Sequence, residues 1–255
     1  MKTILNNFII AFSMYSKIPM PKAEWSKENM RYVMCFFPLI GLVIGGCIYL
    51  MFIVSQVLTV SHVLLTILLI IIPLIITGGI HMDGFLDTMD ALSSYRTKEE
   101  KLAILKDPHT GAFAVIGCVS YFFLAFGIWY EVTLNGVPIL ALSFVLSRSL
   151  SGLSVVTFPL AKDGGLATMF SNESKKQTTR ITMILYILLT IILMILIHWK
   201  LGLLTSLSAI IVFLYYRFMS VKKFGGITGD IAGYFLQICE LIMAFAVIVG
   251  DKLWY

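Results

Sequence analysis

Residues 33–54 run for roughly a bilayer's width without one charged side chain, and further apolar runs follow at about 62–77, 111–130, 137–158, 181–197, 203–217 and 231–250. About 20 predominantly apolar residues suffice for an α-helix to cross the hydrocarbon core. In lipid every backbone N–H and C=O must be satisfied within the protein, and a helix does this by itself. The pattern predicts an all-α protein: a polytopic transmembrane helical bundle of about seven spans (six to eight), with short cytoplasmic helices in the loops. Only 13% of residues are charged and 59% are hydrophobic, against about 25% charged in soluble domains. No polar stretch is long enough to build a separate soluble domain, so residues 1–255 form a single integral membrane domain.

Residues 1–16 are apolar but short and interrupted by Asn6-Asn7, and no A-x-A-like site follows. They read as an interfacial helix rather than a cleaved signal peptide, opening a 1–31 interfacial segment. Gly41, Gly45 and Gly46 in the first span allow close helix approach. The second span is short, contains Pro73 and stops at Gly78-Gly79, the pattern of a broken helix. All but three of the 19 Lys and Arg fall in the segments 1–31, 81–110, 159–180 and 217–229; the exceptions are Arg148, Lys200 and Lys252. That asymmetry makes the polar-loop side cytoplasmic in a prokaryotic cell membrane. It also accounts for the net charge of +5 without nucleic acid. The four cysteines lie in apolar runs with no C-x-x-C spacing, which indicates reduced core packing rather than disulfides or a metal. His62 and His198 fall at the opposite membrane face and read as interfacial residues.

The 81–110 loop begins with His81-Met82-Asp83-Gly84-Phe85-Leu86-Asp87-Thr88-Met89-Asp90. If Gly84 to Leu92 is helical, Asp83, Asp87 and Asp90 stand at i, i+4 and i+7 on one face. Three carboxylates so placed repel, and a divalent cation relieves the repulsion; oxygen-only ligands suit Mg²⁺ or Mn²⁺. The competing reading is a solvated acidic face. Gly78-Gly79-Ile80-His81-Met82-Asp83 is echoed by Gly225-Gly226-Ile227-Thr228-Gly229-Asp230, both G-G-I-x-x-D at a cytoplasmic span end. Two such breaks could bring two Asp carboxylates to one site; chance similarity of Gly-rich turns is the rival. Lys106-Asp107-Pro108-His109-Thr110-Gly111 opens the third span, where unpaired N–H groups suit phosphate. Asp107 and His109 are candidates there for a ligand or proton acceptor, with a helix N-cap as the plainer role for Asp107. Arg148 and Glu240 are charges inside spans, each costing about 2.5–3.5 kcal/mol unless paired or wet. Mutual pairing and a reach by Arg148 to phosphate are both open. Nothing resembles a Walker loop, a zinc motif or a nucleophile elbow.

GGIHMDGFLDTMDAL, LKDPHTGAFAVIG and GGITGDIAGYFLQICEL, in that order, resemble the cobalamin synthase family over nearly the whole chain. The resemblance implies a Mg²⁺-dependent integral membrane transferase. It would join adenosylcobinamide-GDP to α-ribazole, or α-ribazole 5′-phosphate, and release GMP in the last assembly step of adenosylcobalamin. Carried over by position, the family's functional residues fall on His81, Asp83, Asp87 and Asp90, on Asp107, His109 and Gly111, and on Thr228, Gly229 and Asp230. Asp83-Gly84 also fits part of the CDP-alcohol phosphotransferase signature, but Ile80, Asp87 and Thr88 break it.

In that chemistry Asp83 and Asp87 would hold Mg²⁺, with Asp90 and Asp230 completing the site. Asp90 or His81 would take the proton from the ribazole 5′-hydroxyl. Asp107, His109, Gly111, Arg148, Thr228 and Gly229 would bind substrate, and Arg148 or Lys162 would neutralise phosphate. Whether the chain forms a homo-oligomer is left open. Two rival functions remain: a cation-coupled transporter built on the two helix breaks, and a membrane scaffold whose acidic loop binds a basic partner.

Overall fold

A computed structural model describes residues 2–161 and 174–254. Lys162 lies outside them. The helices are α1 (Lys2–Tyr15), α2 (Lys27–Met30), α3 (Phe37–Val57), α4 (His62–Thr77), α5 (Ile80–Ser93), α6 (Lys98–Ile104), α7 (Ala112–Tyr130), α8 (Val137–Thr157), α9 (Lys176–Ile197), α10 (Trp199–Phe224) and α11 (Gly229–Trp254). Six of them, α3 and α7 to α11, are long and apolar enough to cross a membrane, and α4 with α5 forms a bent pair. The chain is an all-α polytopic membrane protein.

Helices α8 and α11 are buried along most of their length, and the others surround them. α3 lies on α8 at Gly41 and Gly45, where an added Cβ would overlap the carbonyl oxygens of Phe144 and Ala141. Small residues permit this backbone approach. Gly46, grouped with them from sequence, faces open space instead. α9 and α10 form a hairpin closed by His198, whose Nδ1 accepts the N–H of Leu201 at 3.2 Å. On α7, Val115, Ile116, Val119, Phe123 and Leu124 are exposed, as are Leu185, Leu188, Leu189, Ile192 and Leu196 on α9. An apolar surface of this extent suits lipid, not water.

The break predicted in the second span is at the glycines and not at the proline. α4 runs through Pro73 without interruption. It ends because Gly78 and Gly79 both take left-handed conformations, φ 65° and 79°, which cost an L-residue roughly 1–2 kcal/mol. The chain turns 96° there, so α5 leaves the direction of the span at nearly a right angle. Gly79 has open space where a Cβ would stand, so Gly79→Ala is expected to lose about 1 kcal/mol from backbone strain alone. Thermal unfolding in detergent reads this directly, and an unchanged midpoint would contradict the assigned turn.

Three sequence-based boundaries are corrected. The helix predicted from Gly84 begins at Ile80. The fifth span begins at Lys176 rather than 181. The sixth does not end at 217: α10 continues to Phe224, and the loop before α11 is only residues 225–228. Arg217, Lys222 and Lys223 lower the local hydropathy but leave i→i−4 bonding intact, so the helix projects beyond the apolar layer. Among the cysteines, all free, Cys239 is buried whereas Cys47 is exposed rather than packed in the core.

Candidate active site

The helices that follow the two G-G-I-x-x-D turns pack against each other. Gly225 has φ 82° and ends α10 as Gly78 ends α4. The second turn is pinned to the end of α8 by a parallel bridge, Ile227 N–H to Pro159 O at 2.9 Å and Ala161 N–H to Ile227 O at 3.0 Å. α5 then packs along the first turns of α11 through two glycines. A Cβ on Gly84 would stand 2.7 Å from the carbonyl oxygen of Asp230, and one on Gly233 would stand 2.9 Å from that of His81. Only the absent side chains let the two helices approach so closely, and that approach sets Asp230 beside the α5 carboxylates.

Asp83 is exposed, while Asp87, Asp90 and Asp230 are half-buried. Burial, and then the charges of Asp83, Asp230 and Asp90, push the Asp87 carboxyl up to about 6. The other three carboxylates therefore all act on Asp87. Thr228 caps α11: its hydroxyl accepts the Ile231 N–H at 3.3 Å and donates to Asp230 Oδ2 at 3.3 Å. Asp90 lies against Gly111, the N-cap of α7, so close that a Cβ there would overlap both carboxylate oxygens. Gly111→Ala is expected to displace Asp90 and lower turnover by about 10²-fold, with little change in thermal midpoint. Parallel kinetic and melting measurements separate this from a purely structural loss.

Because the Asp87 pKa is raised in the fold, its contribution to stability is fully present below about pH 4 and is lost as pH rises through about 6. In the absence of divalent cations, unfolding scans are expected to show stability falling across that window. Mg²⁺ should raise the midpoint more at pH 8 than at pH 5; equal shifts at both values would exclude binding to these carboxylates.

Two concavities converge on Asp83. A cavity of ≈ 260 Å³ runs from Asp83 and Asp230 inward past His81 and Ser151 to Phe37, Val155 and Leu236. A more open groove of ≈ 800 Å³, bordered by Ser16, Lys17, Gly78 and Gly79, shares Ile80 and Asp83 with it. His81 is buried among Tyr15 and Phe37, with ring centroids 6.5 and 5.9 Å away. Burial first, and the Arg148 charge second, push its pKa well below that of an ordinary imidazole.

Residues 7–248 match a family model described as cobalamin-5-phosphate synthase. The chain belongs to that family. An adenosylcobinamide-GDP ribazoletransferase of Lachnoclostridium phytofermentans is 49% identical to it, over 97% of this chain and 95% of its own. One of Clostridium botulinum is 35% identical over 96% and 98%, and one of Fusobacterium nucleatum is 28% identical over 96% and 98%. No solved structure matches. As a member of the cobalamin-5-phosphate synthase family the chain is an enzyme, which leaves the transporter and scaffold readings without support.

Two groups of residues singled out from sequence stand apart in this family member. Asp107 and His109 pair with each other in solvent, Asp107 Oδ1 accepting from the His109 backbone at 3.0 Å and lying 2.7 Å from its Nδ1. Asp107 is therefore not the N-cap of α7; that position is Gly111. Arg148 is 1% exposed and its Nη1 donates to Glu240 Oε1 at 2.7 Å. Of the two roles open for Arg148, the geometry is that of pairing, with Ser147 also donating to Glu240 at 2.8 Å. Sequence reasoning missed Tyr15, Lys17, Phe37 and Ser151. A signal existed for one of them: Ser143, Ser147, Ser151 and Ser154 form a polar stripe at helical spacing on a buried span.

Proposed function

We propose that the chain is an adenosylcobinamide-GDP ribazoletransferase. It joins adenosylcobinamide-GDP to α-ribazole, or to α-ribazole 5′-phosphate, and releases GMP. The observation that carries this reading is the convergence of a narrow cavity and a more open groove on one carboxylate, Asp83, inside a four-carboxylate cluster. A two-substrate phosphoryl transfer needs an acceptor on one side of phosphorus and a leaving group on the other.

The donor set fits Mg²⁺ in chemistry: all four candidate groups offer carboxylate oxygens, and Asp83, Asp230 and Asp90 each raise the cost of charging Asp87. Among the described residues no three His, Cys, Asp or Glu side chains are grouped to enclose a metal by themselves. Mg²⁺ does not require that, since it binds through one or two carboxylates together with waters and substrate phosphates. Asp83 and Asp87 would hold it, with Asp90 and Asp230 beside them. When bound, the ion would neutralise charge on the phosphates and on the departing GMP.

The chain's own groups do the rest. A hydroxyl oxygen of the nucleoside attacks the phosphorus that carries the cobinamide, and the bond to the GMP phosphate breaks. The hydroxyl proton passes to a carboxylate, for which half-buried Asp90 and Asp87 are placed; His81 is less suited because it is enclosed by Tyr15 and Phe37. A substrate already phosphorylated at the 5′ position has no free 5′-hydroxyl, so the sequence-based choice of that oxygen is corrected to a secondary ribose hydroxyl. Lys17, on the groove wall with its side chain over Gly78, neutralises phosphate charge. The charge asymmetry supports a cytoplasmic location for this end of the bundle.

The test is HPLC detection of GMP and of the cobalamin product from purified protein in nanodiscs, with and without Mg²⁺. Equal amounts of the two products, dependent on Mg²⁺ and on both substrates, are expected. No GMP with both substrates present would overturn the proposal.

A further inference from the structure

The four carboxylates do not explain the cavity behind them. Its inner end is apolar, with Met34, Phe37, Val155 and Leu236, and so has no use for phosphate or metal. Three rings meet along it: Tyr15 and Phe37 have centroids 4.6 Å apart, and Phe37 and His81 5.9 Å. His81 is only 5% exposed, yet its Nε2 has no hydrogen-bond partner among the described residues. A buried polar atom left so is costly, and a hydrogen-bonding group brought into the cavity would offset that cost. Ser151, 2% exposed, adds a hydroxyl to the lining.

We infer that this cavity is the subsite for the heteroaromatic base of the nucleoside acceptor, stacked on Tyr15 and Phe37 with a ring nitrogen hydrogen-bonded to His81 Nε2. The inference rests on the proposed reaction and assigns its substrates to separate places. A flat bicyclic base with its ribose fits ≈ 260 Å³, whereas a corrin macrocycle does not and is left to the ≈ 800 Å³ groove. With the base inside, the ribose lies at the mouth, where Asp83 and Asp230 stand and where its hydroxyl must react. His81 then acts as a positioning and recognition residue rather than as the proton acceptor. The apolar inner end selects for bases whose far edge is hydrocarbon, because a polar group there would lose its water without a partner.

The experiment uses the full chain in nanodiscs and free benzimidazole as probe, followed by ligand-observed NMR. Benzimidazole is expected to bind wild type, to be displaced by α-ribazole and not to be displaced by GDP. Ser151→Leu, which narrows the cavity, is expected to abolish benzimidazole binding. It should raise KM for α-ribazole by about ten-fold while KM for adenosylcobinamide-GDP stays within about two-fold. His81→Ala is expected to raise KM for α-ribazole more than it lowers kcat. Absence of benzimidazole binding to wild type, displacement by GDP, or a rise in KM for the corrinoid alone would overturn the assignment. The wild-type competition needs no variant to fold. GMP release without competition by benzimidazole would sink the subsite and keep the reaction; competition without GMP release would do the reverse.

Discussion

Asp83→Asn is expected to lower Mg²⁺-dependent GMP release by about 10³-fold while membrane insertion and thermal midpoint stay near wild type. Asp83 is the most exposed of the four carboxylates and the one that borders both the cavity and the groove. Asparagine keeps its shape and removes its charge, so the change removes the charge that the proposed reaction uses and nothing that packing requires. Stability should not fall, because Asp83 is a neighbour whose charge makes Asp87 harder to ionise. Steady-state GMP release at saturating Mg²⁺, beside melting curves of both proteins, is the measurement. Full activity in the variant would remove the basis for a metal at this site. The same substitution at Asp87, Asp90 and Asp230 ranks the cluster, with metal affinity separating ligands from a proton acceptor.

Glu240→Ala should be the most damaging single change to stability, at about 3–5 kcal/mol. Arg148 is held by Glu240 at 2.7 Å and by the Phe144 carbonyl at 3.1 Å, within two helices that form the centre of the bundle. Truncating the acid leaves a guanidinium buried without its counter-charge. Replacing both partners, Arg148→Met with Glu240→Leu, is expected to recover most of the loss, since a buried pair exchanged for apolar groups of similar volume is often neutral. Denaturant titration in mixed micelles checks the stability of all three variants. Turnover of the double variant then decides what Arg148 does. Activity near wild type fits an internal brace; a raised KM for the corrinoid in a stable double variant would return Arg148 to the phosphate.

Much of the helical layout was legible because its causes are local. A span is set by the hydropathy of its own residues, and the turns at Gly78-Gly79 and Gly225 by glycine's access to positive φ. The face shared by Asp83, Asp87 and Asp90 follows from helical periodicity alone. The ends of α9 and α10 were less legible, since hydropathy reports where lipid stops and not where backbone hydrogen bonding stops. Gly41 and Gly45 were readable as contact glycines, but Gly46 was indistinguishable from them until the partner helix was known.

The sequence by itself determined a helical membrane protein, its two glycine breaks and an acidic helix face beside one of them, because each depends on residues within a turn or two of one another. Only the tertiary structure decided that Gly84 and Gly233 bring together the helices after the two breaks, that Arg148 faces Glu240, and that Tyr15, Phe37 and Ser151 line a cavity behind Asp83. Those facts depend on which helix lies against which. That choice is made by packing between residues up to about two hundred positions apart, and no local pattern encodes it.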